Sequence, residues 1–187
     1  MTITKLTERF KQALVLAYNL HCQQLRKDER TPYMAHLLNV TALVLENGGN
    51  EDEAIAALLH DAVEDRGGMA TRQHILELFG ETVVDIIDGC TESESIPKPP
   101  WEERKLRYLR QICHSSKSVQ LISLADKLHN GRDLLAALYQ EGKIVWTRFH
   151  GGQEKTLWFY HSLLSCYQDN NYLKQELMRI IAELEKF

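Results

Sequence analysis

Residues 54–65 read Ala54-Ile55-Ala56-Ala57-Leu58-Leu59-His60-Asp61-Ala62-Val63-Glu64-Asp65. The first six side chains are all apolar, too continuous for one amphipathic stripe, so the spacing predicts a central helix buried on almost every side. Asn50 with Glu53 three residues later forms a capping-box pattern ahead of it, and Gly67-Gly68 ends it. An unbroken helix from Ala54 to about Asp65 would set His60/Glu64 and Asp61/Asp65 at i, i+4. At about 100° per residue all four then fall within an arc of roughly 140°. Three carboxylates and an imidazole on a buried helix repel and lose hydration unless something cationic meets them. A divalent metal is such a cation.

Helical periodicity continues on both sides. Leu6, Phe10, Ala13, Leu14, Ala17 and His21 make one stripe of a first helix. Thr31-Pro32 punctuates, with Pro32 suited to the first turn of a second helix that stops at Asn47-Gly48-Gly49. Thr71 is placed to cap a short helix to Phe79, and Val83 to Cys90 continues helically. Three of the chain's four prolines lie between Ser93 and Pro100, the convincing long loop. Trp101 to Ile112 is basic and amphipathic. Val119 to Asn130 is strongly apolar but carries Asp126, with Asn130 one turn on. Gly142 and Gly151-Gly152 separate further helical pieces, and Leu173, Leu177, Ile180, Ile181 and Leu184 stripe a last helix. No strand alternation of useful length is present, so the fold expected is all-α.

The chain has 187 residues and a formal net charge of −4, with 22 Lys and Arg against 26 Asp and Glu. That length suits one domain with a proper core. A slightly acidic chain without a basic block gains nothing from bulk attraction to nucleic-acid polymers or anionic lipid, so no such partner is expected. Any nucleotide must be held by a local cluster. No apolar run approaches a membrane span, and the first residues lack the pattern of a signal peptide. Cys22, Cys90, Cys113 and Cys166 are scattered, which argues against a zinc ribbon and suits a reducing cytoplasm.

Asp126 repeats the puzzle of His60-Asp61, an acid among aliphatics, and His36 is a third polar residue beside an apolar face. Singly, each has an ordinary explanation: Asp126 could pair with Lys127 or Arg132, and His36 could be a satisfied core histidine. Together they would need three separate buried partners, whereas one shared metal meets all of them.

The order His36 … His60-Asp61 … Asp126 resembles the metal-dependent HD phosphohydrolases. It is more similar still to the hydrolase domain of the RelA/SpoT alarmone enzymes and their standalone relatives, the small alarmone hydrolases. The residues that carry the resemblance are His21-x-x-Gln24-x-Arg26-Lys27, Pro32-Tyr33-x-x-His36, Ala57-x-x-His60-Asp61-x-x-Glu64-Asp65, Phe79-Gly80 and Leu124-Ala125-Asp126-Lys127-Leu128-His129-Asn130-x-Arg132-Asp133. These motifs run in order from about residue 5 to 135, a helical extension follows from about 143 to 187, and its Trp146-x-Arg148-Phe149 and Leu157-Trp158-Phe159-Tyr160 look like those of the bacterial standalone members. The whole chain, 1–187, reads as one HD-domain helical bundle with a buried metal site.

The resemblance implies His36, His60, Asp61 and Asp126 as metal ligands and Mn²⁺ as the ion, other divalent metals being possible. It implies Glu64 and Asp65 as the catalytic acidic pair, Arg26 and Lys27 as phosphate contacts, and Asn130 as a nucleotide contact. Lys98, Arg148 and Tyr160 are further substrate candidates, whereas His21 reads as a packing or supporting residue. Two departures stand out: Leu37 follows His36 where many relatives have proline, and Gly131 stands where an aliphatic residue is usual, weakening the helix beside Asn130. The expected activity is hydrolysis of guanosine 3′,5′-bis(diphosphate) to GDP and pyrophosphate. The alternatives are another phosphorylated nucleotide as substrate, or a nucleotide sensor without turnover.

Overall fold

The computed structural model describes residues 4–93 and 99–187. In chain order the helices are α1 (Glu8–His21), α2 (Tyr33–Glu46), α3 (Glu51–Leu59), α4 (Ala62–Asp65), α5 (Gly68–Phe79), α6 (Glu81–Cys90), α7 (Trp101–Cys113), α8 (Lys117–Glu141), a 3-10 segment (Gly142–Arg148), α9 (Gly152–Cys166) and α10 (Tyr172–Leu184). No strand occurs among the described residues beyond an isolated bridge between Leu25 and Pro32.

Helix α3 is central. Every residue from Ala54 to Leu59 is buried, and α1, α2, α6 and α8 pack around it. Its start carries the expected capping box, Asn50 Oδ1 accepting from the Glu53 amide while Glu53 Oε2 accepts from that of Asn50. Its end differs from the expected unbroken helix. The Nδ1 of His60 donates to the Ala57 carbonyl at 2.8 Å, the acceptor that a continuing α-helix would offer to the Asp61 amide. The helical run stops at Leu59 and resumes as α4, so the His60-Asp61 pair lies on a turn rather than along one 140° arc.

Other boundaries shift for local reasons. Pro32 caps α2 from outside instead of sitting in its first turn. Helix α5 starts at Gly68, after a left-handed Gly67, and Thr71 lies inside it with its hydroxyl bonded to the Arg66 carbonyl. Helix α8 runs unbroken through Gly131 to Glu141. That glycine serves a close approach: a Cβ there would meet Ile180 Cγ2 of α10 at 2.9 Å. The weak helix former at 131 therefore lets α10 settle against α8 instead of loosening the turn that bears Asn130.

Cys113 at the end of α7 and Cys166 at the end of α9 form a disulfide across the α7/α9 contact. Cys22 and Cys90 are free. Linear spacing gave no hint of this pairing, because the two cysteines meet only through tertiary packing.

Gly89 marks a second close approach, between α6 and α8, where a Cβ would stand 2.5 Å from Val119 Cγ2 and 3.0 Å from its Cγ1. Gly89→Ala gains up to ~1 kcal/mol of helix propensity, but the overpacking outweighs it. We expect net destabilisation of ~1–2 kcal/mol, read as a lower urea midpoint at unchanged slope.

Candidate metal centre

Three elements bring the chemistry together. His36 comes from the first turns of α2, His60 and Asp61 from the turn after α3, and Asp126 from the middle of α8. His36, His60 and Asp126 are buried, and one ligand atom from each lies within 4.8 Å of the others. His36 Nε2 is 3.3 Å from Asp126 Oδ1, and His60 Nε2 is 3.9 Å from the same oxygen. Asp61 borders the trio: its Oδ2 is 3.1 Å from His60 Nε2 and 3.5 Å from His36 Nε2. All four expected ligands are thus neighbours.

The supporting hydrogen bonds favour a cation. With its Nδ1 proton given to Ala57, His60 turns its Nε2 to the carboxylates, and that buried atom has no hydrogen-bond partner, so a divalent ion held there would take the place of the Nε2 proton. His36 Nδ1 meets His129 Nδ1 at 2.9 Å, an orientation that also leaves the His36 Nε2 facing the centre. Tyr33 OH donates to Asp61 Oδ2 at 2.6 Å, and burial together with Asp61 holds its phenol well above the usual range. The two oxygens of Asp126 are held separately, Oδ2 by Lys127 and Oδ1 by Asn130 Nδ2. The ordinary partner foreseen for Asp126 is therefore real, but it engages only the oxygen turned away from the histidines. Arg132 pairs with Glu176 instead.

The charges bear this out. Burial pushes the His60 pKa down, but Asp61 and Asp126 outweigh it and lift it to about 9. Burial likewise works against an ionised Asp126, but Lys127 and His36 hold its carboxyl far below the ordinary carboxylate range. Burial lowers His129 to about 4, with Asp133 opposing and His36 assisting, so that ring is neutral near pH 7. Two imidazoles with a buried carboxylate, and a second carboxylate beside them, are a donor set suited to a divalent transition metal. The residues present fit such an ion.

Around this centre the other expected residues separate into groups. Arg26 donates through Nη2 to Asn130 Oδ1 at 2.6 Å and Asp133 Oδ2 at 2.8 Å, and its guanidinium lies over the Tyr33 ring. Asn130 thus joins Arg26 to Asp126. Lys27 sits over the Phe149 ring, its pKa lowered by burial and then by Arg26 and Lys127. Glu64 Oε2 accepts from the Glu92 amide at 3.1 Å, and Asp65 Oδ2 accepts from Gln24 Nε2 at 2.9 Å. Tyr160 is buried, with its hydroxyl beside Gly131. Arg148 is bound by both oxygens of exposed Glu141 and is not drawn to the centre. Lys98 lies outside the described residues.

Several partners were not singled out from sequence. Gln24, Tyr33 and His129 stand within the recurring motifs, but their roles depend on a loop and two helices meeting. Glu92, bound by Arg104 and Lys105 of α7, anchors the backbone amide that reaches Glu64. Its signal is tertiary. His21 packs on Tyr33 and bonds Gln24 Oε1 through Nδ1, the supporting place expected of it.

Comparison with known proteins points to one family. The HD domain family model matches residues 13–154. The chain is 41% identical over 126 residues to the guanosine-3′,5′-bis(diphosphate) 3′-pyrophosphohydrolase MESH1 of Xenopus tropicalis, covering 66% of this chain and 68% of that one. The mouse (Mus musculus) protein of the same name is 33% identical over 175 residues, 92% of each chain. A solved structure described as a metazoan ortholog of SpoT that hydrolyzes ppGpp superposes with a TM-score of 0.77 at 29% identity, covering 96% of this chain and 97% of its own.

Tyr33→Phe tests the supporting shell, since it removes the bond to Asp61 and keeps the ring that packs on His21. We expect the fold to be retained and divalent-ion affinity to weaken ~10–100-fold, the usual scale for an outer partner of a ligand. Calorimetric titration with Mn²⁺ measures it, and unchanged affinity would remove Tyr33 from the shell.

Proposed function

The chain belongs to the HD domain family, and we propose that it is a metal-dependent hydrolase acting on guanosine-3′,5′-bis(diphosphate). Water is consumed, the bond between the 3′ oxygen and its phosphorus breaks, and GDP and pyrophosphate are released. The observation that carries this reading is the convergence of His36, His60 and Asp126 in one buried cluster. The substrate is the one for which the similar frog and mouse proteins are named.

We assign His36, His60, Asp61 and Asp126 as ligands and Mn²⁺ as the ion. A divalent ion held there supplies Lewis acidity toward a phosphoryl oxygen and makes water easier to deprotonate. The remaining work falls to side chains of this chain. Arg26 and Lys27 grip the pyrophosphate. Burial, Arg26 and Lys127 all disfavour the Lys27 ammonium, and a polyphosphate would relieve that crowding. Asn130, already between Arg26 and Asp126, contacts the nucleotide. Asp65, exposed and one turn past the ligand pair, takes the proton of the attacking water. Glu64, held by the Glu92 amide, delivers a proton to the departing 3′ oxygen. Tyr160 and Lys98 are assigned as further contacts, and Arg148 joins them by exchanging Glu141 for phosphate.

We read residues 1–187 as one HD domain, core motifs from about 5 to 135 and an extension from about 143 to 187, because α9 and α10 pack on α7 and α8. We place it in the cytoplasm. No helix among the described residues is long and apolar enough to cross a membrane. That compartment keeps most thiols reduced, and the Cys113–Cys166 disulfide is at odds with this placement.

The test is turnover of a nucleotide panel with and without Mn²⁺, products identified by chromatography. GDP and pyrophosphate formed only with metal is the expected result, and an inactive protein with a full metal complement would reject it. Glu64→Gln and Asp65→Asn should each keep the ion bound and lower kcat ~10²–10⁴-fold. Near-native turnover in both would remove the acidic pair. Neutralising Arg26 and Lys27 together should lower kcat/KM far more for the bis(diphosphate) than for a nucleoside monophosphate, each charge-assisted contact contributing ~1.5–3 kcal/mol. Equal losses would make the pair structural.

A further inference from the structure

Asp65 is exposed, so packing does not hold its carboxylate. The loop between α1 and α2 supplies what does. Gln24 Nε2 donates to Asp65 Oδ2 at 2.9 Å, while Gln24 Oε1 accepts from Arg66 Nε at 2.9 Å and from His21 Nδ1 at 2.7 Å. The orientation of this amide is settled by chemistry: Arg66 Nε can only donate, so the oxygen must face it and the NH₂ must face Asp65. The backbone is fixed as well. The Gln24 carbonyl accepts from the Tyr33 amide at 2.8 Å, and the Arg26 amide donates to Thr31 at 2.8 Å across the same loop. Gln24 therefore ties the end of α1, the start of the helix that bears His36, and α4.

We propose that Gln24 is a positioning residue for the hydrolysis, its side-chain N–H aiming the Asp65 carboxylate at the attacking water. The proposal rests on the reading of Asp65 as the group that accepts the proton. A carboxylate with two free torsions in solvent samples many directions, and one fixed donor on one oxygen leaves the other oxygen directed and available as a base. The donor's identity matters beyond its shape. Glutamate at 24 has the same size and still accepts from Arg66 and His21, but it offers no hydrogen to Asp65 and sets a second negative charge against it.

Two variants separate aiming from scaffolding. If Gln24 only buttresses the loop, Gln24→Glu, which keeps the Arg66 and His21 contacts, should outperform Gln24→Ala. If it aims Asp65, kcat should fall ~10-fold in Gln24→Ala and further in Gln24→Glu, with Mn²⁺ affinity and KM near wild type in both. Wild-type turnover in Gln24→Glu alongside a loss in Gln24→Ala overturns the proposal. The same substitutions in an Asp65→Asn background distinguish this from failure of the parent reading. Asp65→Asn with native turnover discards Asp65 itself as the base. Asp65→Asn with little turnover, and no further loss on adding Gln24→Ala, places Gln24 upstream of Asp65. An additional ~10-fold loss in that background means Gln24 acts elsewhere and overturns the proposal.

Discussion

The bond from His60 Nδ1 to the Ala57 carbonyl governs the centre of this molecule. It occupies the acceptor that would have carried α3 onward, and it commits Nδ1 of His60 to the backbone so that Nε2 faces the carboxylates. The first effect turns the chain so that His60 and Asp61 face α2 and α8 rather than running along a cylinder. The second leaves Nε2 buried among carboxylates, where a divalent ion can replace its proton and a plain core cannot. Short α4 then presents Glu64 and Asp65 to two different donors, the Glu92 amide and the Gln24 side chain. One backbone acceptor thus shapes both the buried His/Asp cluster and the neighbouring acids.

Two kinds of support meet at this turn. On the α8 side, Lys127 and Asn130 each hold one oxygen of Asp126, and Asn130 passes the connection to Arg26. On the α1/α2 side, His21, Gln24 and Tyr33 reach α4 and Asp61. The cations and carboxylates compensate each other at close range, so a polar cluster survives inside a helical core. Breaking one partner would leave another group buried and unpaired.

Much of this is legible in the residues. The apolar run from Ala54 to Leu59 announces the central helix, Asn50 and Glu53 announce its cap, and His36, His60, Asp61 and Asp126 stand out as polar residues where apolar ones are expected. What sequence could not supply was every feature made by a meeting of distant segments. Periodicity alone reads straight through His60, because the competing acceptor is a backbone atom. Gln24 looks like any polar loop residue until α4 is beside it. Glu92 gains its place only through Arg104 and Lys105 of α7, and Cys113 finds Cys166 only when α7 and α9 pack. Gly131 was read by helix propensity, a local property, whereas its position is decided by the proximity of Ile180.

That glycine also joins two tasks on a single turn of α8. Asn130 reaches inward to Arg26 and Asp126, while the next residue, by having no side chain, sets the spacing to α10. Helix α10 therefore acts as a gauge block for the turn that bears Asn130. Bulk added at 131, or a displaced α10, would be transmitted to Asn130 as a shift in register. Divergence among related chains in this last helix would then tune how Asn130 is set against Asp126 without altering either residue.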